Sequence, residues 1–560
     1  MFDVLAFSKD KTGWNQKMQE RRLALGMDLS TQSLSAVVLD IDSRTKVYEH
    51  SLDYLKDPRL DGFGIRRKDY IVPPRTKGEA NQPPKMFFAS LDAMFSDMKD
   101  AGVALEDIVT VNNSGQQHGH IYLNHSAHSI FTRLNEEGSE QSDLVTLLEG
   151  CLAYGLAPIW MTSNTIKQAE FVRGYVGGKE RVIKLSGSDA PLRFTGAVMR
   201  RVAQQFPEAY QQTENIQLIS SLVPAILTGN SKVPIDFSNG CGTSLMDYTH
   251  KRWSSLLIRA TSDQLPRGEK TFRSKLPSIV APDTIVGTIA TYFIRKYGFT
   301  PACKIVVGSG DNPQSKVLVA GDLLSLGTSF VNMVSTDGRT LDMNGFANAM
   351  YDGVGRPFMF GCRTNGAMVW DQLRAMYGME KEEYSRAEEA LQQVPIAQSL
   401  VFWQPRNESF PLSGSSNLVR VRSAMPNLDT DYAGLIETTL AAVYHHSRGF
   451  AAETTEPLYV TGGARNSPGI VRRISSIWNR QVIPVERGGA VLGAAVAGSF
   501  AFFKSEGKET DIEQFNANLL RRGEAIQPRP EDVLAFHSPG GYLDEFAVEE
   551  AKLIAAHPPI

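Results

Sequence analysis

Residues 24–41, Ala-Leu-Gly-Met-Asp-Leu-Ser-Thr-Gln-Ser-Leu-Ser-Ala-Val-Val-Leu-Asp-Ile, decide how the rest of the chain is read. An apolar run meets a carboxylate at Asp28, passes through a turn of small hydroxyl residues (Ser30, Thr31, Ser33) and continues as a second apolar run, Ala36 to Ile41. That pattern predicts a β-hairpin whose turn offers N–H and O–H donors to an anion, with a carboxylate beside it. Metal-nucleotide chemistry uses both: donors hold phosphate oxygens, and the carboxylate holds Mg²⁺ directly or through water. An ordinary surface hairpin is spelled the same way, so one copy leaves both readings open.

A second copy lies at 321–334, Gly-Asp-Leu-Leu-Ser-Leu-Gly-Thr-Ser-Phe-Val-Asn-Met-Val, with Gly327, Thr328 and Ser329 in the turn. Two such hairpins about 300 residues apart predict two similar domains facing one nucleotide, one turn from each side. Further on, the apolar Leu458–Val460 leads into Thr461-Gly462-Gly463-Ala464-Arg465-Asn466-Ser467 and an amphipathic helix with Ile470, Val471, Ile474, Ile477 and Trp478 on one face. The glycine pair allows the backbone to approach a flat ligand such as adenosine.

A chain of 560 residues exceeds one core and predicts two large domains. With 42% hydrophobic and 21% charged residues it has the composition of a soluble protein. A net charge of −3 supplies no bulk attraction for nucleic acid or an anionic membrane, which leaves small molecules as expected partners. Cys151, Cys241, Cys303 and Cys362 are scattered without metal-ligand or disulfide spacing, pointing to a reducing compartment. The opening residues lack a basic start with an apolar core, and the most apolar run, Ala490 to Phe503, is shorter than the roughly 20 residues a bilayer requires. That run is expected to be a buried, closely packed helix in a cytoplasmic protein.

Several stretches carry candidate ligand groups. The strand Ile108–Val111 runs into Asn-Asn-Ser-Gly-Gln-Gln-His-Gly (112–119), a cluster of donors and acceptors suited to sugar hydroxyls, in which His118 reads equally as ligand or as structural. Trp160 stacks on a sugar or, by default, fills core. Arg193 is the only cation in the loop 186–196. Asp236 supplies a carboxylate or an Asx-turn, the latter being the plainer reading. Arg66, Arg67 and Lys68 read as a solvated basic turn. Tyr377 and Tyr384 in a helical segment 376–393 are edge contacts for adenine or packing, and a strand-like region covers Ile216 to Leu227. After the strand Lys304–Val307, Gly308-Ser309-Gly310-Asp311-Asn312 puts a carboxylate at a strand end beside the second hairpin, so Asp311 is the best candidate base.

Asp28-Leu-Ser-Thr-Gln, Ser114-Gly-Gln-Gln-His-Gly, Ile159-Trp-Met, Arg193-Phe-Thr-Gly, Gly310-Asp-Asn-Pro, Ser325-Leu-Gly-Thr-Ser and Thr461-Gly-Gly-Ala occur in the order found in FGGY carbohydrate kinases. The resemblance spans roughly residues 23–500 and is nearest to the eukaryotic xylulose-kinase branch. It implies an α/β fold of two actin-like (ribonuclease H-like) domains around a central cleft, and ATP-dependent phosphorylation of a ketopentose, D-xylulose first, with Mg²⁺. The expected division is an N-terminal extension at 1–21, a sugar-binding domain at 22–315, a nucleotide-binding domain at 316–525 and a tail from 526 to 560. By position, Asp28 matches the Mg²⁺-linked aspartate, while Asp311 matches the catalytic base and a second metal contact. Gln117, His118, Arg193, Asp311 and Asn312 fall on the sugar side. Thr31 and Thr328 fall on the phosphates; Tyr384, Gly462, Gly463, Ala464, Asn466 and Ser467 fall on the nucleoside. The expected assembly is a monomer or homodimer. The chain departs from the pattern at Thr162, where Asp is usual after Trp-Met, at Asn239 in place of Asp, and at Asn466–Ser467, where the usual Asn is displaced by one. A kinase for another ketose or polyol, and a non-catalytic sugar or nucleotide sensor, are the competing readings.

Overall fold

The computed structural model describes residues 21–65, 68–380, 382–422 and 425–559. The expectations for residues 1–20, Arg66 and Arg67 lie outside them.

Both hairpins form, and each is the seed of a sheet. In the first, β1 (Leu23–Leu29), β2 (Ser33–Asp40) and β3 (Thr45–Asp53) make an antiparallel meander. To the other side of β1, β4 (Ile108–Gly115) and β5 (Lys304–Val306) add in parallel. In the second, β6 (Leu323–Leu326), β7 (Phe330–Ser335) and β8 (Pro357–Arg363) form the meander. There β9 (Leu458–Gly462) and β10 (Val482–Pro484) add in parallel beside β6. Strand order 3-2-1-4-5 in one sheet is therefore repeated as 8-7-6-9-10 in the other. The pairing rests on alternating burial: Leu34, Ala36 and Val38 of β2 face one core, while Val37 and Leu39 face another.

Three helices matter for the site. Helix α1 (Asp311–Val317) starts where Ser309–Gly310 pairs with the end of β4. Helix α2 (Pro468–Trp478) buries Ile470, Val471, Ile474 and Ile477 as its spacing predicts. Helix α3 (Gly489–Ser505) follows β10 of the second sheet and packs on β1 and β4 of the first. Its Gly- and Ala-rich surface is what lets it lie so close. A Cβ on Gly26 of β1 would come within 2.2 Å of the Val491 carbonyl, and one on Gly493 within 1.9 Å of the Gln314 carbonyl of α1. Among the described residues no helix is long and apolar enough to cross a membrane.

Three local expectations are corrected. The strand-like region Ile216–Leu227 is a strand, Thr213–Leu218, followed by a helix, Ile219–Thr228; a fully buried apolar run has no exposed face to reveal its period. Segment 376–393 is the end of helix Ala367–Met376 and a separate helix, Tyr384–Gln393. The strand read as Ile108–Val111 continues through the polar run to Gly115 because Asn112 and Asn113 satisfy their amides internally, donating to the carbonyls of Ala494 and Ser220. Within 526–560, two helices, Pro530–His537 and Tyr542–Ala556, insert Phe536, Tyr542 and Phe546 into the second core.

Candidate functional site

Between the two sheets lies a cavity of about 760 Å³. The first hairpin supplies Asp28, Ser30, Thr31 and Ser33 to its wall; Asp311, Asn312 and Ser315 come from α1, and Ser325, Val331 and Met333 from the second hairpin. The segment Glu486–Val491 at the start of α3 completes the lining.

The backbone register explains why two aspartates meet here. Gly115 at the end of β4 pairs with Leu29 on one side and Gly310 on the other, so Asp28 and Asp311 emerge at neighbouring carboxyl ends of parallel strands, two strands apart. Burial pushes the Asp311 carboxyl up to about 7, and the negative charge of Asp28 adds to the rise. Burial likewise lifts Asp28 to about 6, against the opposing pull of the Ser114 hydroxyl and the Arg487 charge. Asp28 Oδ1 is buried without a hydrogen-bond partner. An orphaned carboxylate oxygen with a second carboxylate nearby fits a hard divalent cation that keeps most of its water shell, as Mg²⁺ does. Among the described residues no cluster of three or more His, Cys, Asp or Glu side chains could hold a metal on its own.

Asp311 is aimed by its neighbours. The Asn312 backbone N–H donates to Asp311 Oδ1 at 2.8 Å, and Asn312 Nδ2 donates to the same oxygen at 3.1 Å and to Gln117 Oε1 at 3.0 Å. Gln117 and Asn312 are thus brought together with the candidate base. Asp236, 0% exposed, anchors the strand that carries it: Ser309 Oγ donates to Asp236 Oδ2 at 2.7 Å. Its other oxygen accepts from the Asn239 N–H and side-chain amide, so Asp236 is the N-cap of the short helix Phe237–Cys241 and not the Asx-turn expected.

His118 sits behind this group rather than on the cavity wall. It is stacked on Phe194 at 4.3 Å, and its Nδ1 lies 2.8 Å from the Gly242 carbonyl, to which it donates. Burial and the positive charge of Arg193 hold its imidazole neutral, down to about 3. Arg193 is close enough to act on His118 but does not line the cavity.

Trp160 is not core. It is 41% exposed on the cavity wall, and its Nε1 donates to Thr31 Oγ1 at 2.8 Å. Thr31 Oγ1 donates on to Gln116, Gln116 Nε2 to Gln82, and Gln82 Nε2 back to the Thr31 carbonyl. This closed ring of bonds fixes the first turn. Thr162, the departure from Asp, is 1% exposed and uses its hydroxyl on the Ala80 carbonyl. It belongs to the support of the wall and not to its surface.

In the second turn, Gly327–Ser329, Thr328 and Ser329 are exposed and the turn caps helix Ala367–Met376: the Ala367 N–H donates to the Gly327 carbonyl at 3.0 Å. Thr328 is therefore open to a ligand but lies outside the cavity wall, as do Gly462, Gly463, Ala464, Asn466 and Ser467. Gly462 is required by packing, since at φ +95° a Cβ there would stand 2.2 Å from the Leu326 carbonyl. Ser467 is the N-cap of α2, accepting from the Ile470 N–H and donating to Glu388. Asn466 is exposed. Tyr384 is 63% exposed, with the Arg374 guanidinium 5.2 Å from its ring centre, and is not on the wall either; Tyr377 is tied to Asp431. The sequence reading passed over Glu486 and Arg487; the signal available was the polar Glu-Arg-Gly-Gly lead into an apolar helix.

Residues 155–317 match the N-terminal domain of the FGGY family of carbohydrate kinases. A xylulose kinase of Mus musculus is 34% identical over 313 residues, 55% of this chain and 54% of that protein. The match thus spans about half the length of that relative. A xylulose kinase of Schizosaccharomyces pombe is 26% identical over 526 residues, 88% of this chain and 91% of the relative. A solved gluconate kinase from Lactobacillus acidophilus superposes with a TM-score of 0.76 at 16% identity, covering 96% of this chain and 99% of its own. The chain is a relative of the FGGY carbohydrate kinases with their two-domain actin-like α/β fold, and eukaryotic xylulose kinases are among its relatives.

Proposed function

We propose that this chain transfers the γ-phosphoryl group of ATP to the terminal hydroxyl of a ketopentose, D-xylulose first, giving the sugar 5-phosphate and ADP. The observation that carries the reading is the pair Asp28 and Asp311, set at the strand ends that flank β4 on either side, in a cavity between two sheets of repeated topology. The choice of sugar rests on the eukaryotic relatives alone.

Asp311 takes the proton of the sugar hydroxyl. A carboxyl lifted to about 7 is a far better base at neutral pH than a free aspartate at about 3.9. As the proton leaves, the sugar oxygen forms its bond to γ-phosphorus while the bond to the bridging oxygen breaks, releasing ADP. Asn312 and Gln117 hold the carboxylate in line, and His118, neutral and stacked, backs the wall on the sugar side with Arg193. Thr31 and the first turn present donors to phosphate oxygens; Thr328 does the same from the second half. Gly462, Gly463, Ala464, Asn466 and Ser467, with Tyr384, mark the nucleoside side. Asp28, with Asp311, would hold Mg²⁺, which neutralises charge on the phosphates when bound. Sugar is held mainly by 22–315 and nucleotide by 316–525, and closure of the two halves expels water. Four unpaired cysteines accord with a cytoplasmic setting.

A panel of D-xylulose, D-ribulose, xylitol, gluconate and glycerol with Mg·ATP tests the assignment by ADP release. D-Xylulose is expected to give the highest kcat/KM. A higher value for another member replaces the sugar but keeps the reaction. No turnover with any of them, despite ATP binding, favours the sensor reading.

A further inference from the structure

Four carboxylates face the cavity, Asp28, Asp69, Asp311 and Glu486, and among the described residues that line it the only Lys or Arg is Arg487. A nucleoside triphosphate entering that space brings about three to four more negative charges, and bringing like charges together in a site of reduced dielectric is costly. Neither hydroxyl turn carries a fixed cation: Ser30–Ser33 and Gly327–Ser329 offer only neutral donors and Gln32.

Arg487 is placed to supply the missing charge. Its side chain is exposed to the cavity and forms no hydrogen bond or ion pair among the described residues, yet its charge reaches Asp28. Asp28 in turn acts on Asp311, and Arg487, Asp28 and Asp311 all line the one cavity. The guanidinium is carried by the connection between β10 of the second sheet and α3, which packs on the first. Gly488, Gly489, Ala490 and Val491, the residues after it, line the same wall. Gly488 caps α3 without a side-chain hydrogen bond, so the cap residue itself takes none of the first-turn N–H groups beside the guanidinium.

We propose that Arg487 is a catalytic residue that grips the γ-phosphoryl group of ATP and stabilises the charge it develops as it passes to the sugar oxygen. The assignment deepens the kinase reading and rests on it. The planar fork binds two non-bridging phosphoryl oxygens, the geometry for which arginine is suited and lysine is not. Because the γ-phosphoryl is absent from ADP, Arg487 distinguishes ATP from ADP.

The test uses the full chain as wild type, Arg487→Gln and Arg487→Lys. ATP analogue and ADP affinities are measured by calorimetry with Mg²⁺, and kcat and KM for sugar by ADP release. Arg487→Gln is expected to weaken the non-hydrolysable ATP analogue about 10-fold or more with ADP within twofold, and to lower kcat about 10²–10³-fold with sugar KM unchanged. Arg487→Lys recovers part of both losses, and added guanidinium partly restores turnover to Arg487→Gln. Analogue affinity and kcat both within twofold of wild type overturn the proposal. So does an equal loss for analogue and ADP with a lowered Tm and no recovery by lysine or guanidinium, which marks a structural role. The binding arm reads Arg487 even if no sugar turns over, so failure of the kinase reading and failure of this assignment are told apart.

Discussion

Asp236 is 0% exposed, has no cation partner among the described residues, and accepts bonds from Ser309, the Asn239 backbone and the Asn239 side chain. Burial lifts its carboxyl to about 6, opposed by those donors and Ser238, above the ordinary 3.8. The sign of the consequence follows from linkage. Below about pH 4 folded and unfolded chains both hold the proton; between about pH 4 and 6 only the folded chain does, so this group's contribution to stability falls as pH rises through that window. Asp236→Asn stays uncharged and keeps an acceptor for Asn239. The difference in Tm between variant and wild type, without ligands, is expected to move in the variant's favour from pH 4 to about pH 7. A pH-independent difference contradicts the account. A second buried charge behaves in the opposite way when cut. Arg473 pairs with Glu437 at 2.9 Å, each side chain 1% exposed, and it also donates to the Leu391 and Val394 carbonyls. Arg473→Met leaves Glu437 stranded in the second core and is expected to cost about 3–5 kcal/mol in urea unfolding. A loss below about 1 kcal/mol would show that the core accommodates the lone carboxyl.

Among elements, α3 couples most directly to the site. Its contact with α1 depends on Gly493, where a Cβ would stand 1.9 Å from backbone that cannot step aside without moving α1. Gly493→Ala is expected to cost about 1–3 kcal/mol by overpacking and to lower kcat, because α1 begins with Asp311 and α3 begins beside Arg487. An unchanged Tm would mean the helices separate freely. The two hairpins, α2 and this buried helix were legible because each has a short-range signature: alternation around a small-residue turn, a 3.6-residue stripe, or an apolar run of Gly and Ala. Residues 216–227 were not, since complete burial hides periodicity. At the site, Asp28 and Asp311 were visible at strand ends, and Gln117 joined them through Asn312. Trp160, open between a sugar contact and core with core as the default, lies on the wall, because nothing local says which side of a strand end faces solvent. Arg487 was passed over because its importance comes from being the only cation among the described residues that line the cavity, a property of the assembled wall. Ser467, read as a nucleoside contact, also serves in the fold as the N-cap of α2 and donates to Glu388, a role its sequence neighbours do not reveal.

For the whole molecule, repetition is the organising fact: two sheets of one strand order, each offering a hydroxyl turn, with α3 crossing from one to the other. A cleft built this way narrows by moving the halves together. Small-angle scattering is expected to show the chain contract when D-xylulose and a non-hydrolysable ATP analogue are both present, and less with either alone. No change with both would put the halves in a fixed relation. The central claim is tested most directly by following the γ-phosphoryl group itself, with labelled ATP, Mg²⁺ and D-xylulose, in wild type and Asp311→Ala. The account predicts label on the sugar with wild type and a rate about 10²–10⁴-fold lower with Asp311→Ala at similar ATP affinity. Equal transfer by both would contradict the role of Asp311, and no transfer to any sugar of the panel by wild type would contradict the kinase assignment.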